Sequence, residues 1–315
     1  MGFCLILRIL HAPPQYQNTM RKFLTNIAIT LLYFAIFIIF ATHPVRYTKA
    51  FLDGITVWAY NVLPVIFPFA LIATFFTKHC NFGKLSITKH LFGASCDNLF
   101  LTSFLCGYPV GARVISEQNV DEKSATIMCS FCSTPSPIFL IATVGIAIDN
   151  TTATIILCVS QFGAMILNGL LYTRRKSFAF SSYKTATSSN NFSTTLTNSI
   201  LAVLTVGALI ALFFMLTEII QSLLPQSIST HPALFFTIGI LEMTSGILKI
   251  CSSCDTLSAT VCSSALLAFG GFCVALQCFA FVSKKGVKFA NLLKMKCTQC
   301  AFATIIAFVL GKLFL

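Results

Sequence analysis

The sequence predicts an all-α polytopic membrane protein, and three observations carry that prediction. Hydrophobic residues make up 56% of the 315, and the mean hydropathy is +0.85. Asp, Glu, Lys and Arg together are 10%, against roughly 25% in soluble domains, too few to clothe a water-soluble fold of this size. Apolar stretches of about 20 residues, the length that crosses a hydrocarbon core, recur along the chain. Composition therefore excludes the soluble globular, disordered, collagen-like and disulfide-scaffold classes.

Seven stretches qualify as spans: 23–42, 54–76, 125–148, 152–173, 196–217, 257–282 and 298–315. The first six hold no Asp, Glu, Lys or Arg, and the last holds only Lys312. Met1–His11 is apolar but too short to span and is stopped by Pro13-Pro14, so residues 1–19 read as an extension outside the fold. Two more stretches, 91–112 and 233–254, are apolar but interrupted by Asp97 and Gly107–Gly111, and by Glu242, Gly246 and Lys249. Charge decides how these two are threaded. With both as re-entrant hairpins and the N-terminus inside, 17 of the 21 Lys and Arg residues, Lys296 among them, face the cytoplasm. With both as crossings the number falls to 11 of 21. The positive-inside rule favours hairpins, and it accounts for the net charge of +12 without nucleic acid as a partner.

The hairpins impose an order. Residues 1–53 form the N-terminal extension and first helix. A first repeat, 54–173, runs span, hairpin, broken span, span. A cytoplasmic linker, 174–195, is basic at its start and rich in Ser, Thr and Asn. A second repeat, 196–315, runs through the same elements in inverted topology. Gly111 precedes Pro135 by 24 residues, and Gly246 precedes Gly270 by 24. The third element of each repeat is broken, by Ser133-Thr134-Pro135-Ser136-Pro137 in one and Gly270-Gly271 in the other. Pro removes a backbone donor and Gly loosens the helix. Irregular backbone at membrane depth is tolerated only where protein buries it or water reaches it. Inverted repeats with broken helices meeting at the midplane are the plan of many secondary transporters.

Candidate site residues follow. Glu242 is an acid inside an apolar stretch, where ionisation in lipid is costly. Thr244 and Ser245 hydroxyls, a cation or a proton would partner it; the structural alternative is an acceptor for freed amides at the hairpin tip. Gly107, Tyr108, Pro109 and Gly111 form the other tip. Arg113 lies four residues before Glu117, close enough on a helix to pair, or it lends positive potential to an anionic substrate. Ser133, Thr134 and Ser136 offer hydroxyls at the first break. Gly270 and Gly271 allow close approach at the second, with Gln277 two turns on. Half-helix N-termini at the breaks suit a carboxylate. Gln161 and Asn168 read as interhelical hydrogen bonders. The fourteen cysteines include three CxxC pairs, but their apolar setting reads as helix-contact filler in a reducing cell, not metal or redox chemistry. No HExxH, GxSxG or P-loop motif is present, so an enzyme is not expected.

Ser103-Phe-Leu-Cys-Gly-Tyr-Pro-Val-Gly-Ala-Arg-Val-Ile-Ser-Glu117, Ser130-Phe-Cys-Ser-Thr-Pro-Ser-Pro-Ile-Phe139, Leu241-Glu-Met-Thr-Ser-Gly246 and Ala268-Phe-Gly-Gly271 with Gln277 resemble the YlbJ-like sporulation integral membrane proteins. That family carries paired nucleoside-recognition (Gate) domains and is similar in plan to concentrative nucleoside transporters. The resemblance covers about residues 54–315. It implies a role in endospore formation, a place in the cell membrane or outer forespore membrane, and dipicolinic acid as cargo. The expected function is thus transport of a small anionic aromatic solute; a nucleoside or nucleobase transporter, or a non-transporting membrane sensor or scaffold, are the alternatives. Na+ or H+ would be the coupling ion, and no other cofactor is expected. Expected partners are the small-molecule anionic or nucleoside-like substrate, the lipid bilayer and a second copy in a homo-oligomer.

Overall fold

The computed structural model describes residues 37–64, 87–93, 96–174, 192–225 and 231–315, with scattered helical positions at 26–35 and 66–72. The extension 1–19, most of the linker and parts of the stretches 23–42 and 54–76 lie outside the described residues. The chain divides into two compact units, one up to Lys49 and one from Ala50. In the first, the rings of Phe40 and His43 lie 6.2 and 6.3 Å from that of Tyr47.

The described residues are mostly helical, with no strand among them. Helix α1 (Pro44–Val57) continues into a π-turn, Trp58–Val62. Helix α2 (Ile87–Phe92) leads to α3 (Asp97–Cys106) and α4 (Val110–Glu117). Then come α5 (Glu122–Cys129), α6 (Pro137–Ile148) and α7 (Thr151–Arg174). The second half holds α8 (Phe192–Ser222), α9 (Pro232–Leu241), α10 (Met243–Ser253), α11 (Thr256–Phe269), α12 (Gly271–Val282) and α13 (Phe289–Phe314). Four helices among the described residues are long and apolar enough to cross a membrane: Thr151–Arg174, Ser199–Ser222, Thr256–Lys285 and Phe289–Phe314. The protein is an all-α, polytopic membrane protein.

Both interrupted stretches fold back on themselves. Arms α3 and α4 pack together, as do α9 and α10. A Cβ on Gly246 would fall on the backbone of Gly239, and one on Gly111 would meet the Ser103 side chain and the Cys132 carbonyl. Glycine at those two positions is what lets the arms touch. The stretch 125–148 is not one span: α5 stops at Cys129 and α6 starts at Pro137, where proline is well placed at a first turn. The last helix begins at Phe289, nine residues before the expected 298, and takes in Lys294 and Lys296.

Long helices α7, α11 and α13 form the centre. Lipid offers no hydrophobic drive between helices, so contacts rely on small residues and hydrogen bonds, each bond worth about 0.6 kcal/mol. Ala164, Ala268 and Ala303 meet there, fully buried. Asn168 donates to Ser130 O (2.8 Å) and Met295 O (3.2 Å) and accepts from Thr298 Oγ1 (2.7 Å). Gln161 Nε2 donates to Ser264 O at 2.9 Å. Both side chains thus bond between helices. Large apolar side chains such as Ile155, Leu201, Ile305 and Phe308 point outward, the inverse of a soluble protein. The packing repeats: α12 lies against α4, and α6 lies against α10, the corresponding pair.

Candidate functional site

The two hairpin tips and the two breaks come together. In the first half, a Cβ on Gly107 (φ +70°) would strike the backbone of Pro135 and Ser136. The next amide, Tyr108 N, donates to Thr134 O at 2.8 Å. The tip is therefore stitched to the break of its own broken helix. In the second half, Gly270 ends α11 in the left-handed conformation (φ +80°), and a Cβ on Gly271 would lie 3.1–3.3 Å from the carbonyls of Gly239, Ile240 and Leu241. That break also faces its own tip.

Tyr108 then joins the halves. Its hydroxyl lies 2.9 Å from Met243 Sδ and 3.3 Å from Leu267 O, so the first tip touches both the second tip and the second broken helix. The register that matches Gly111 to Gly246 and Pro135 to Gly270 also matches Tyr108 to Met243. Equivalent residues in contact mark the place where the two repeats meet.

Glu242 is 2% exposed, and both its oxygens are satisfied by amides at the start of α10: Thr244 N at 3.0 Å and Ser245 N at 2.7 Å. Of the two roles the sequence allowed, a partner for the Thr244 and Ser245 hydroxyls or an acceptor for freed amides at the hairpin tip, the contacts are those of the second: backbone N–H groups take the carboxylate. An N-cap acceptor satisfies orphan donors and meets the positive end of the helix dipole. The same contact closes this helix end to a substrate carboxylate. Ser136 does the corresponding job for α6, accepting from Phe139 N at 3.2 Å.

A narrow cavity, about 560 Å³ when its open mouth is counted, opens at this junction. Tyr108, Pro135, Ser136, Glu242, Thr244 and Gln277 line it together with Met243, Phe139, Val206 and Ile210. Gln277 Nε2 lies 3.3 Å from Cys273 Sγ. Of the expected residues, Tyr108, Ser136, Glu242, Thr244 and Gln277 are brought to this wall. Gly107, Gly111, Ser133, Thr134, Ser245, Gly270 and Gly271 form its supporting frame. Arg113 is elsewhere: it pairs with Glu117 at 3.0 Å and donates to Ser199 Oγ at 3.1 Å. With Pro109 it borders a separate apolar groove beside Val203 and Phe281. Its guanidinium is spent on a helix-to-helix tie and lends no charge to the cavity.

Three contributors escaped sequence reasoning. Asn61, from the π-turn, and Cys273 line the cavity. Lys296, 1% exposed, reaches from α13 to donate to Ser133 O at 2.6 Å, with its ammonium 4.9 Å from the Tyr108 ring centre. It is a buried contact of the first break, not a cytoplasmic loop residue. A signal was available: carrying the repeat register forward sets the start of α7, Thr151, on Gly286, which places Lys296 inside the last helix and opposite Gln161. Comparison with family models, with curated proteins and with solved structures gave no match.

Proposed function

We propose that this chain is a secondary membrane carrier that passes a small ring-containing solute through the cavity at the hairpin tips. The observation behind this reading is the convergence of two hairpin tips and two helix breaks, Tyr108 and Glu242–Thr244 with Pro135–Ser136 and Cys273–Gln277, on one polar-edged cavity. Irregular backbone of this kind, buried among membrane helices, is where carriers bind their cargo. Rocking one repeat against the other would expose the cavity to either side in turn. The Lys and Arg bias supports a cytoplasmic N-terminus, and the family resemblance implies a place in the cell membrane or outer forespore membrane.

Dipicolinic acid, the cargo the resemblance implies, is planar and aromatic and suits the Tyr108, Phe139 and Val274 surfaces. A nucleoside is the second reading, and the lining favours it in one respect. Glu242, Gln277 and Asn61 are acceptors and amides suited to ribose hydroxyls and base edges, and no cation among the described residues lines the wall. Uptake of labelled dipicolinate into proteoliposomes tests the proposal, with uridine and adenosine as competitors. Saturable dipicolinate uptake abolished by Gly107→Val supports it. Uptake of nucleosides alone selects the second reading, and binding without translocation of either would make the protein a sensor.

A further inference from the structure

Lys296 poses a physical problem that the carrier reading does not answer. An ammonium withdrawn from water is costly unless it is paired, yet no carboxylate of the described residues lies within ion-pair distance of it. Arg113, the other buried cation among them, is paired with Glu117. The ionisable neighbours of Lys296 are the thiols of Cys129, Cys278 and Cys300 and the phenol of Tyr108. What it does meet is the unwound backbone after α5: Ser133 O accepts its hydrogen bond, and the buried Thr134 hydroxyl beside that carbonyl has no partner. A Cβ on Gly270 would stand 3.7 Å from the ammonium, so the charge also sits beside the second break. Unwound carbonyls and the negative ends of half-helices are cation-binding features. The equivalent position of the other repeat holds a neutral amide, Gln161.

We infer that Lys296 is the resident cation of the first break: its tethered ammonium fills the place where unwound carbonyls would otherwise hold a metal cation. Ser133 O supplies the acceptor, the Tyr108 ring supplies a cation–π face, and the α5 terminus supplies favourable potential. If the carrier reading holds, on which this last step rests, transport runs without sodium.

The test uses purified full-length protein in detergent, with thermal unfolding followed by loss of the monodisperse peak in size-exclusion chromatography. The wild-type midpoint should be the same in sodium, potassium and choline chloride at equal ionic strength. Lys296→Met, similar in length and neutral, should melt several degrees lower in all three. Lys296→Ala should melt lower still and recover on addition of n-propylammonium or Na+, which can enter the space vacated. A wild-type midpoint raised by Na+ over choline overturns the inference, as does a Lys296→Met protein as stable as wild type. Should either variant fail to accumulate, the wild-type salt series decides alone. Uptake, where a cargo is found, should be equal in sodium and choline. Absence of any cargo defeats the carrier reading, while the unfolding series still judges Lys296.

Discussion

The two hairpin tips occupy equivalent places in the two repeats and are closed in different ways. At the first, Gly107 has no side chain, α4 starts from Pro109 without a side-chain cap, and Tyr108 N finds its acceptor on another element, Thr134 O. At the second, the equivalent of Gly107 is Glu242, which caps α10 with both carboxylate oxygens. The first tip is therefore held by its broken helix, and the second holds itself. A self-capped hairpin can shift as a unit without leaving amides unpaired; a hairpin stitched to its neighbour shifts only with that neighbour. Under the carrier proposal, the second hairpin would be the element free to shift and the first, tied to Lys296 through Ser133 O and the Tyr108 ring, the fixed one.

The hardest way to break this comparison is to pry the arms apart. In Gly246→Val the new Cβ falls on the Gly239 backbone, which cannot rotate away. The expected cost is about 3 kcal/mol or more, at the upper end for overpacking, read as a large drop in the unfolding midpoint in detergent. Gly111→Val should be at least as severe, because its Cβ meets the Cys132 carbonyl of the break as well as Ser103. A tolerated Gly246→Val would mean that the second hairpin does not stand on its own packing.

Glu242 comes next. Glu242→Ala leaves the buried Thr244 amide and the half-buried Ser245 amide without acceptors and should cost about 2–3 kcal/mol. Glu242→Gln keeps one acceptor oxygen and turns a donor toward the other amide, so it should lie between wild type and Ala. The size of the gap sharpens the comparison: equal midpoints for Gln and wild type would show that the carboxylate charge adds nothing to the cap. No such pair of variants exists for the first tip, where the corresponding residue is glycine.

Much of this arrangement is written locally in the sequence, and one part is not. The breaks are legible because Pro135, Pro137, Gly270 and Gly271 act on the backbone at their own positions. The hairpins are legible because the Lys and Arg count changes when they are threaded as crossings. Lys296 is hidden by the same logic that finds spans: a window of apolar residues starts after the last charge, so it trims Lys294 and Lys296 from a helix that begins at Phe289. Arg113 misleads in the opposite direction. Its sequence neighbours place it near a tip, but Ser199, 86 residues away, takes one of its nitrogens, and no local pattern shows that. Asn61 was equally silent, since one amide in an apolar stretch looks like many others.

The smallest effect compares features the repeats share. Both broken helices start with an aspartate cap: Asp121 accepts from Ser124 N at 3.3 Å, and Asp255 accepts from Ser258 N at 3.0 Å. The hydroxyl and amide of Ser124 hold the Asp121 carboxyl below its ordinary value of 3.8, and the amide and hydroxyl of Ser258 do the same for Asp255. A carboxyl held low in the folded chain and ordinary in the unfolded one contributes stability at neutral pH. That contribution begins to fall as pH approaches about 4 and is gone once pH has passed below the folded value. The unfolding midpoint in detergent should therefore hold steady down to about pH 5 and decline below about pH 4. Asn caps helices about as well as Asp and does not titrate. Asp121→Asn and Asp255→Asn should each leave the neutral-pH midpoint almost unchanged and remove part of the acid decline, by similar small amounts because both carboxylates face water. If one substitution flattens the acid limb and the other leaves it untouched, the two helix starts are not equivalent, and the match between the repeats ends at the membrane surface.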